Sequence, residues 1–273
     1  MKKLLSVILC LTMMFSLSAT GFATSATPNL NEVSQTYGIP VEVLETLDQP
    51  MLQSLINDMT NYDVVSSESK YIKIITNNKT ETSRTIEGSY EQYISEIMSP
   101  IPFISDTDES SGWLRIHTTV IDKNNTTGQA SCAFTWLTPP SPRQTDVMGL
   151  ALTQGTFVHN SANGFYTHTS PNKDRTINYS SRSFDQEGHS ISCKVKLELS
   201  DYLSEANDFM FLRSDFYKEG NSEGVNGVYG HKKWGLSINP SFSLSRAGVF
   251  SISGGFEFVD YYQQEKGYVS IYW

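Results

Sequence analysis

Five side chains combine reactive or ligand-binding types with positions beside predicted turns: Trp113, Trp136, Arg143, Asp146 and Trp234. Aromatic rings on a β surface stack on sugars or anchor a protein partner. The competing role for each ring is core filling, which needs no ligand. Arg143 and Asp146 border the run Pro139-Pro140-Ser141-Pro142. A guanidinium and a carboxylate so placed are expected to pair across a Pro-rich turn and fix its shape.

Acid–base and metal chemistry have weaker support. Histidines stand at 117, 159, 168, 189 and 231 without ligand-type clustering, so no metal or other cofactor is implied. His117, His159, His168 and Asp146 are the candidates for a hydrolase whose residues are dispersed over strand ends. There is no Gly-x-Ser-x-Gly elbow, no His-Glu-x-x-His, no Walker loop and no Gly-x-Gly-x-x-Gly. Two Ser-x-x-Lys matches, Ser67–Lys70 and Ser170–Lys173, lack the Lys-Thr-Gly that accompanies that motif in penicillin-interacting enzymes. The acidic run from Asp106 to Gly112 begins like a calcium loop. It has Ser111 where that loop needs glycine and His117 where it needs glutamate.

Cys132 and Cys193 both fall on the apolar faces of predicted strands. Export permits a bridge, which would close a 62-residue loop and stabilise by about 4 kcal/mol in the chain-entropy model. Two separate buried thiols are the alternative, and spacing alone leaves both open.

Export itself is the clearest expectation. Lys2 and Lys3 precede the uncharged run LLSVILCLTMMF, and small residues close it. That order reads as a secretory signal peptide over 1–26, cleaved after Ala23 or Ala26. Cys10 lies inside the apolar run rather than at its end, which argues against lipidation. No second run approaches a membrane span, so no stable span is expected after cleavage. Losing Lys2 and Lys3 without any acid moves the formal charge from −9 to −11. From Thr27 to Ser110 there are 14 acids and 4 bases, against 15 and 14 from Ser111 onward. Such a balance argues against nucleic acid and against anionic lipid as partners.

The elements that must position these residues change period along the chain. Residues 27–65 read as a helical N-terminal segment. It holds a helix over 32–37, with Asn31 as N-cap candidate and Gly38 past its end, then one from Pro40, then one capped by Asp48. Met51, Leu52, Leu55, Ile56 and Met59 make one apolar face of the last. Residues 66–273 read as a β-rich domain of ten to twelve short strands, with the loop 99–112 as the best internal boundary. The stretch 90–98 fits strand or helix. Residues 112–122 and 129–137 make a hairpin, with Leu114, Ile116 and Val120 on one face and Trp113, Arg115, His117 and Ile121 on the other. In 189–199, Ile191, Cys193, Val195, Leu197 and Leu199 alternate with polar residues, so one face is expected in the core and one in water. No crossover-length helices separate the strands, which disfavours a parallel sheet. The expected class is mainly β: an antiparallel β-sandwich-like domain with a short α-helical N-terminal segment.

The run from Phe134 through Trp136, Pro139, Pro142, Arg143 and Asp146 to Gly149 is the most distinctive. With Tyr37-Gly38-Ile39-Pro40 it resembles uncharacterised secreted proteins of Gram-positive bacteria that carry a similar aromatic–proline–arginine–Thr-Asp pattern after a strand. The resemblance implies secretion and brings no activity with it.

These observations favour a secreted, non-enzymatic binding protein acting at the cell surface or outside the cell, with cell-wall glycan or another extracellular protein as partner. The dispersed hydrolase is one alternative. A membrane-active β protein is the other, suggested by the Ser/Thr-rich segment 175–184 and by Trp273 closing an alternating strand.

Overall fold

The structure, a computed structural model, describes residues 29–77, 79–80, 82–98, 109–138, 142–171, 174–198, 206–233, 241–252, 258 and 262–273. The expected signal segment 1–26, the acidic run 106–108, the prolines 139–140, Leu199 and Trp234 lie outside them.

Three helices open the described chain: α1 (Leu30–Tyr37), α2 (Val41–Thr46) and α3 (Gln49–Asn61). Then come β1 (Asp63–Asn77), β2 (Thr82–Gly88), α4 (Tyr90–Ile97), β3 (Glu109–Asp122), β4 (Thr127–Trp136), β5 (Thr145–Leu152) and β6 (Thr156–Phe157). β7 (Asn163–Thr169), β8 (Arg175–Tyr179), β9 (Asp185–Gln186), β10 (Ser190–Lys196) and β11 (Asn207–Tyr217) follow. β12 (Ser222–Lys232), β13 (Phe242–Leu244), β14 (Phe250–Ile252) and β15 (Tyr262–Tyr272) complete the order. The described residues thus hold fifteen strands rather than ten to twelve, the excess being pieces of two or three residues such as β6 and β9.

The molecule is a mainly-β antiparallel sandwich. One sheet runs β2-β1-β3-β4-β11-β7-β8, with β6 paired to the far end of β11. The other runs β15-β12-β5-β10-β9. Between them lie Phe134, Trp136, Met148, Leu150, Tyr166, Met210 and Tyr229 among others. The β3–β4 hairpin forms with the expected faces, Leu114, Ile116 and Val120 pointing into this core.

Caps define the helices. The first begins two residues earlier than its spacing predicted. Its N-cap is Asn29, whose side chain accepts from Glu32 N while Glu32 reaches back to Asn29 N. Gly38 closes it in the left-handed region at φ 65°. Asp48 caps α3 with Pro50 in its first turn, as its sequence predicted. The ambiguous stretch after 89 is a helix because Ser89 and Gln92 form a second capping box.

Both outer faces of the sandwich are also covered in part, which corrects the expectation of a whole face in water: on β10 Lys196 is exposed but Ser192 is buried. Val33, Tyr37, Ile39, Leu44 and Leu55 of the helical layer pack on Ile121, Ala133, Phe165, Phe209 and Phe211. Burying Leu44 or Leu55 there contributes about 2 kcal/mol each. Polar contacts fix the layer at two stations. Arg213 donates to Asp58 Oδ2 at 2.7 Å and to Ser54 Oγ at 2.7 Å on α3. On β3, alternate residues Arg115, His117 and Thr119 serve the carbonyls that end α1. Thr119 Oγ1 donates to Thr36 O at 2.6 Å, His117 Nε2 to Thr36 O at 2.9 Å and Arg115 Nη2 to Gly38 O at 2.6 Å. Gly38 lies so close that a Cβ would meet the His117 ring at 2.5 Å. On the other side, the β13–β14 hairpin covers Val147, Ala151 and Val228. Ser192, predicted to face water, is therefore buried.

Cys132 and Cys193 are free thiols, both buried. Cys132 sits beneath Gly227 of β12, where a Cβ would come within 2.2 Å of its Sγ. Cys193 lies on β10, and β5 separates β10 from β12. That offset is about 9.6 Å, beyond the span of a disulfide. Burial pushes the Cys132 thiol up to about 12.

Candidate functional site

One end of the sandwich holds a polar cluster inside the core. Trp136, Asp208 and His168 lie directly opposite one another on β4, β11 and β7, so all three face inward. Asp146 of β5 and Tyr229 and His231 of β12 approach from the other sheet. Each ionisable member continues an alternation that is otherwise apolar: Asp146 before Met148, Leu150 and Leu152, and Asp208 before Met210 and Leu212.

Two Asp–His pairs result. Asp208 Oδ1 accepts from His168 Nδ1 at 3.0 Å and from Tyr166 OH at 2.7 Å. Arg143 grips the same carboxylate from the β4–β5 crossover, Nη1 to Oδ2 at 2.6 Å and Nη2 to Oδ1 at 2.8 Å. Its Nε donates to Glu198 O at 2.6 Å, which ties the crossover to the end of β10. Burial alone would push the Asp208 carboxyl up, but the hydrogen bonds from His168 and Arg143 and the guanidinium charge outweigh it and hold the group below its usual range. In the second pair, Asp146 Oδ2 accepts from Tyr229 OH and from His231 Nδ1, the latter at 2.9 Å, and Oδ1 accepts from Lys232 N at 2.9 Å. Trp136 Nε1 donates to the Tyr229 hydroxyl at 2.9 Å. Burial, then the Asp146 charge, push the Tyr229 phenol far up, so it stays a donor.

These pairs are sealed. Asp146, Asp208 and His168 are 0 % exposed and His231 is 1 % exposed. A general acid or base must come within hydrogen-bond reach of its substrate, and the bonds these groups make are to one another and to Arg143, Tyr166, Tyr229 and the Lys232 backbone. The hydrolase candidates fall into separate networks. His117 holds the end of α1, His168 pairs with Asp208, Asp146 pairs with His231, and His159 is exposed at a turn. No group of three metal-ligating side chains forms among the described residues.

The sequence-derived binding residues are placed as follows. Trp113 is buried, with its Nε1 donating to Glu96 Oε2 at 2.9 Å and Lys73 Nζ lying 5.9 Å from its ring centroid. Trp136 is core. Arg143 pairs with Asp208 and not with Asp146, which lies on β5 bonded to His231. Trp234 lies outside the described residues. The sequence reading missed Asp208, Tyr229 and His231 as partners. Their one signal was an ionisable residue at an inward position of an apolar alternation.

A groove of about 420 Å³ opens at the same end, on the outer side of the first sheet, beneath α1 and α2. Arg115, Thr135, Thr169, Asn207 and Phe209 form its sheet side, and Tyr93 stands at its margin. Its volume is within the range of small-ligand pockets. Arg115 donates to Gly38 O and, at 3.3 Å, to Thr135 Oγ1, both through Nη2. Its Nε is buried without a hydrogen-bond partner, and among the described residues no carboxylate pairs with it. Tyr93 OH donates to Leu137 O at 3.4 Å.

No family model and no curated protein matches the chain. Solved structures with partial likeness include one holding manganese lipoxygenase of Gaeumannomyces graminis and part of zonadhesin of Komagataella pastoris. It is 8 % identical at a TM-score of 0.30, over 77 % of this chain and 84 % of that one. The collagen-binding domain of a Staphylococcus aureus adhesin is 8 % identical at a TM-score of 0.28, over 55 % and 90 %. A pore forming protein is 8 % identical at a TM-score of 0.28, over 78 % and 96 %. At such values none of these likenesses bears on what the chain does. Among the described residues no helix is long and apolar enough to cross a membrane.

Proposed function

We propose that this is a secreted, non-enzymatic binding protein that acts at the cell surface or outside the cell, and that the groove beneath α1 and α2 is its binding site. The observation that carries the reading is Arg115, a guanidinium lining an open cavity with only one of its three nitrogens engaged. The Asp–His pairs support it from the other side, since Asp146, His168, Asp208 and His231 are buried and hold the sandwich end together. The signal segment and the resemblance to secreted Gram-positive proteins support export. The partner is cell-wall glycan or another extracellular protein.

Cosedimentation of the chain recovered after export tests this, with purified cell-wall sacculi in one arm, sacculi stripped of protein in a second and liposomes in a third. Saturable pelleting with sacculi is expected. Saturation of the untreated sacculi alone identifies a protein partner there, and saturation of both identifies the wall polymer. Pelleting with liposomes alone overturns the proposal, and pelleting with nothing overturns its cell-wall form.

A further inference from the structure

The geometry points to a carboxylate as the group the groove takes, presented by a short peptide segment; this rests on the groove being the binding site. Arg115 is the sole cation among the groove's described lining residues. A guanidinium has five N–H donors and matches a carboxylate more closely than any neutral acceptor. Here only Nη2 is engaged, by Gly38 O and Thr135 Oγ1, both uncharged acceptors. The charge is therefore held in place by α1 and the sheet but is not neutralised. Arg115, whose Nε is buried, differs in this from Arg143 and Arg213, whose side chains are 3 % and 5 % exposed and which each have a carboxylate partner at 2.6–2.7 Å.

The rest of the groove suits a peptide. Thr135, Thr169 and Asn207 bring hydrogen-bonding groups to the lining, beside the apolar Phe209 and Val43. Polar and apolar groups share the lining, so both the amides and the side chains of a peptide have partners there. Glu42 lies exposed on the lining and forms no ion pair with Arg115. It would weaken a carboxylate ligand by like-charge repulsion, which gives a second handle on the same inference.

Saturation-transfer NMR on the exported chain reads this out with three probe pools. The first is acetylated dipeptides of neutral side chains with free C-termini, the second the same dipeptides as carboxamides, and the third acetyl-Asp-Ala as its carboxamide. Saturation of the first pool is expected, at least about tenfold weaker binding of the second, and a matching loss in Arg115→Gln. Glu42→Gln, an exposed change that leaves the docking contacts alone, is expected to tighten the first pool by about twofold. Binding of the third pool in place of the first assigns the carboxylate to an acidic side chain rather than a chain terminus. Equal binding of the first two pools overturns the carboxylate inference while leaving the groove as a site, and no response to either substitution places the probe outside the groove and overturns both. No saturation by any pool overturns the carboxylate inference, and the sacculus assay then decides the groove.

Discussion

Asp208 and Arg143 meet as a two-point ion pair, at 2.6 and 2.8 Å, with the carboxylate wholly inside the protein. The arginine comes from the crossover between the two sheets and the aspartate from the middle of the first, so the pair fastens the sandwich at that end. Asp208→Asn leaves the guanidinium buried and unpaired, and urea unfolding should show a loss of about 3–5 kcal/mol. Replacing both residues with apolar ones, Arg143→Met with Asp208→Leu, should cost less than the single change, because no charge is stranded. A single-variant loss under 1 kcal/mol would show that the pair is not structural.

The same carboxylate predicts an acid limit. Its folded-state pKa lies below the unfolded value, so the unfolded chain binds the proton first as pH falls. The stability it contributes is complete above about pH 4 and is lost as pH drops through the folded value. Chemical denaturation across pH 6 to 2.5 should show a steeper decline in the parent chain than in Asp208→Asn. Parallel profiles would contradict the assignment.

His117 predicts a separate step near neutrality. Burial first, and then the Arg115 charge, hold the ring below its ordinary value against the Thr36 hydrogen bond. The folded state therefore binds its proton later than the unfolded state. Stability is complete above about pH 6.5 and falls as pH drops below it. His117→Asn should flatten the stability profile between pH 7.5 and 5.5, and an unchanged slope would count against the role given to this ring.

Packing across the core is tightest where Gly227 meets Cys132. Gly227→Ala would set a Cβ 2.2 Å from the sulfur and 2.9 Å from Thr118 Oγ1, at a cost of about 1–3 kcal/mol. Cys132→Ala frees that space, so the double variant should be more stable than the two single costs together imply. Strict additivity would show that the two positions do not share a contact. Both thiols should resist modification until the chain unfolds.

The sheets were legible because β3, β4 and β10 alternate, and their inward residues were read correctly from that period. Leu114, Ile116, Cys132, Phe134, Ile191 and Val195 all sit in the core as alternation requires. What alternation hides is a third layer. Trp113 looked free to face a ligand because nothing local says that a helix will cover it, and Ser192 looked solvated because the hairpin above it comes some 50 residues later. The polar cluster was less legible still. Asp146 was singled out, but its partner His231 lies 85 residues away, and pairing at that separation is set by strand order, which period alone does not specify. Arg115 was placed on the correct face and overlooked, since its groove exists only once α1 and α2 dock.

The central claim is that the groove beneath α1 and α2 binds the partner, and filling it tests this most directly. Asn207 is exposed and begins β11 at the groove wall, so Asn207→Trp should occupy the space without disturbing the core. Sedimentation with sacculi should fall by at least about tenfold while the unfolding midpoint stays unchanged. Undiminished pelleting by a folded Asn207→Trp chain would contradict the account.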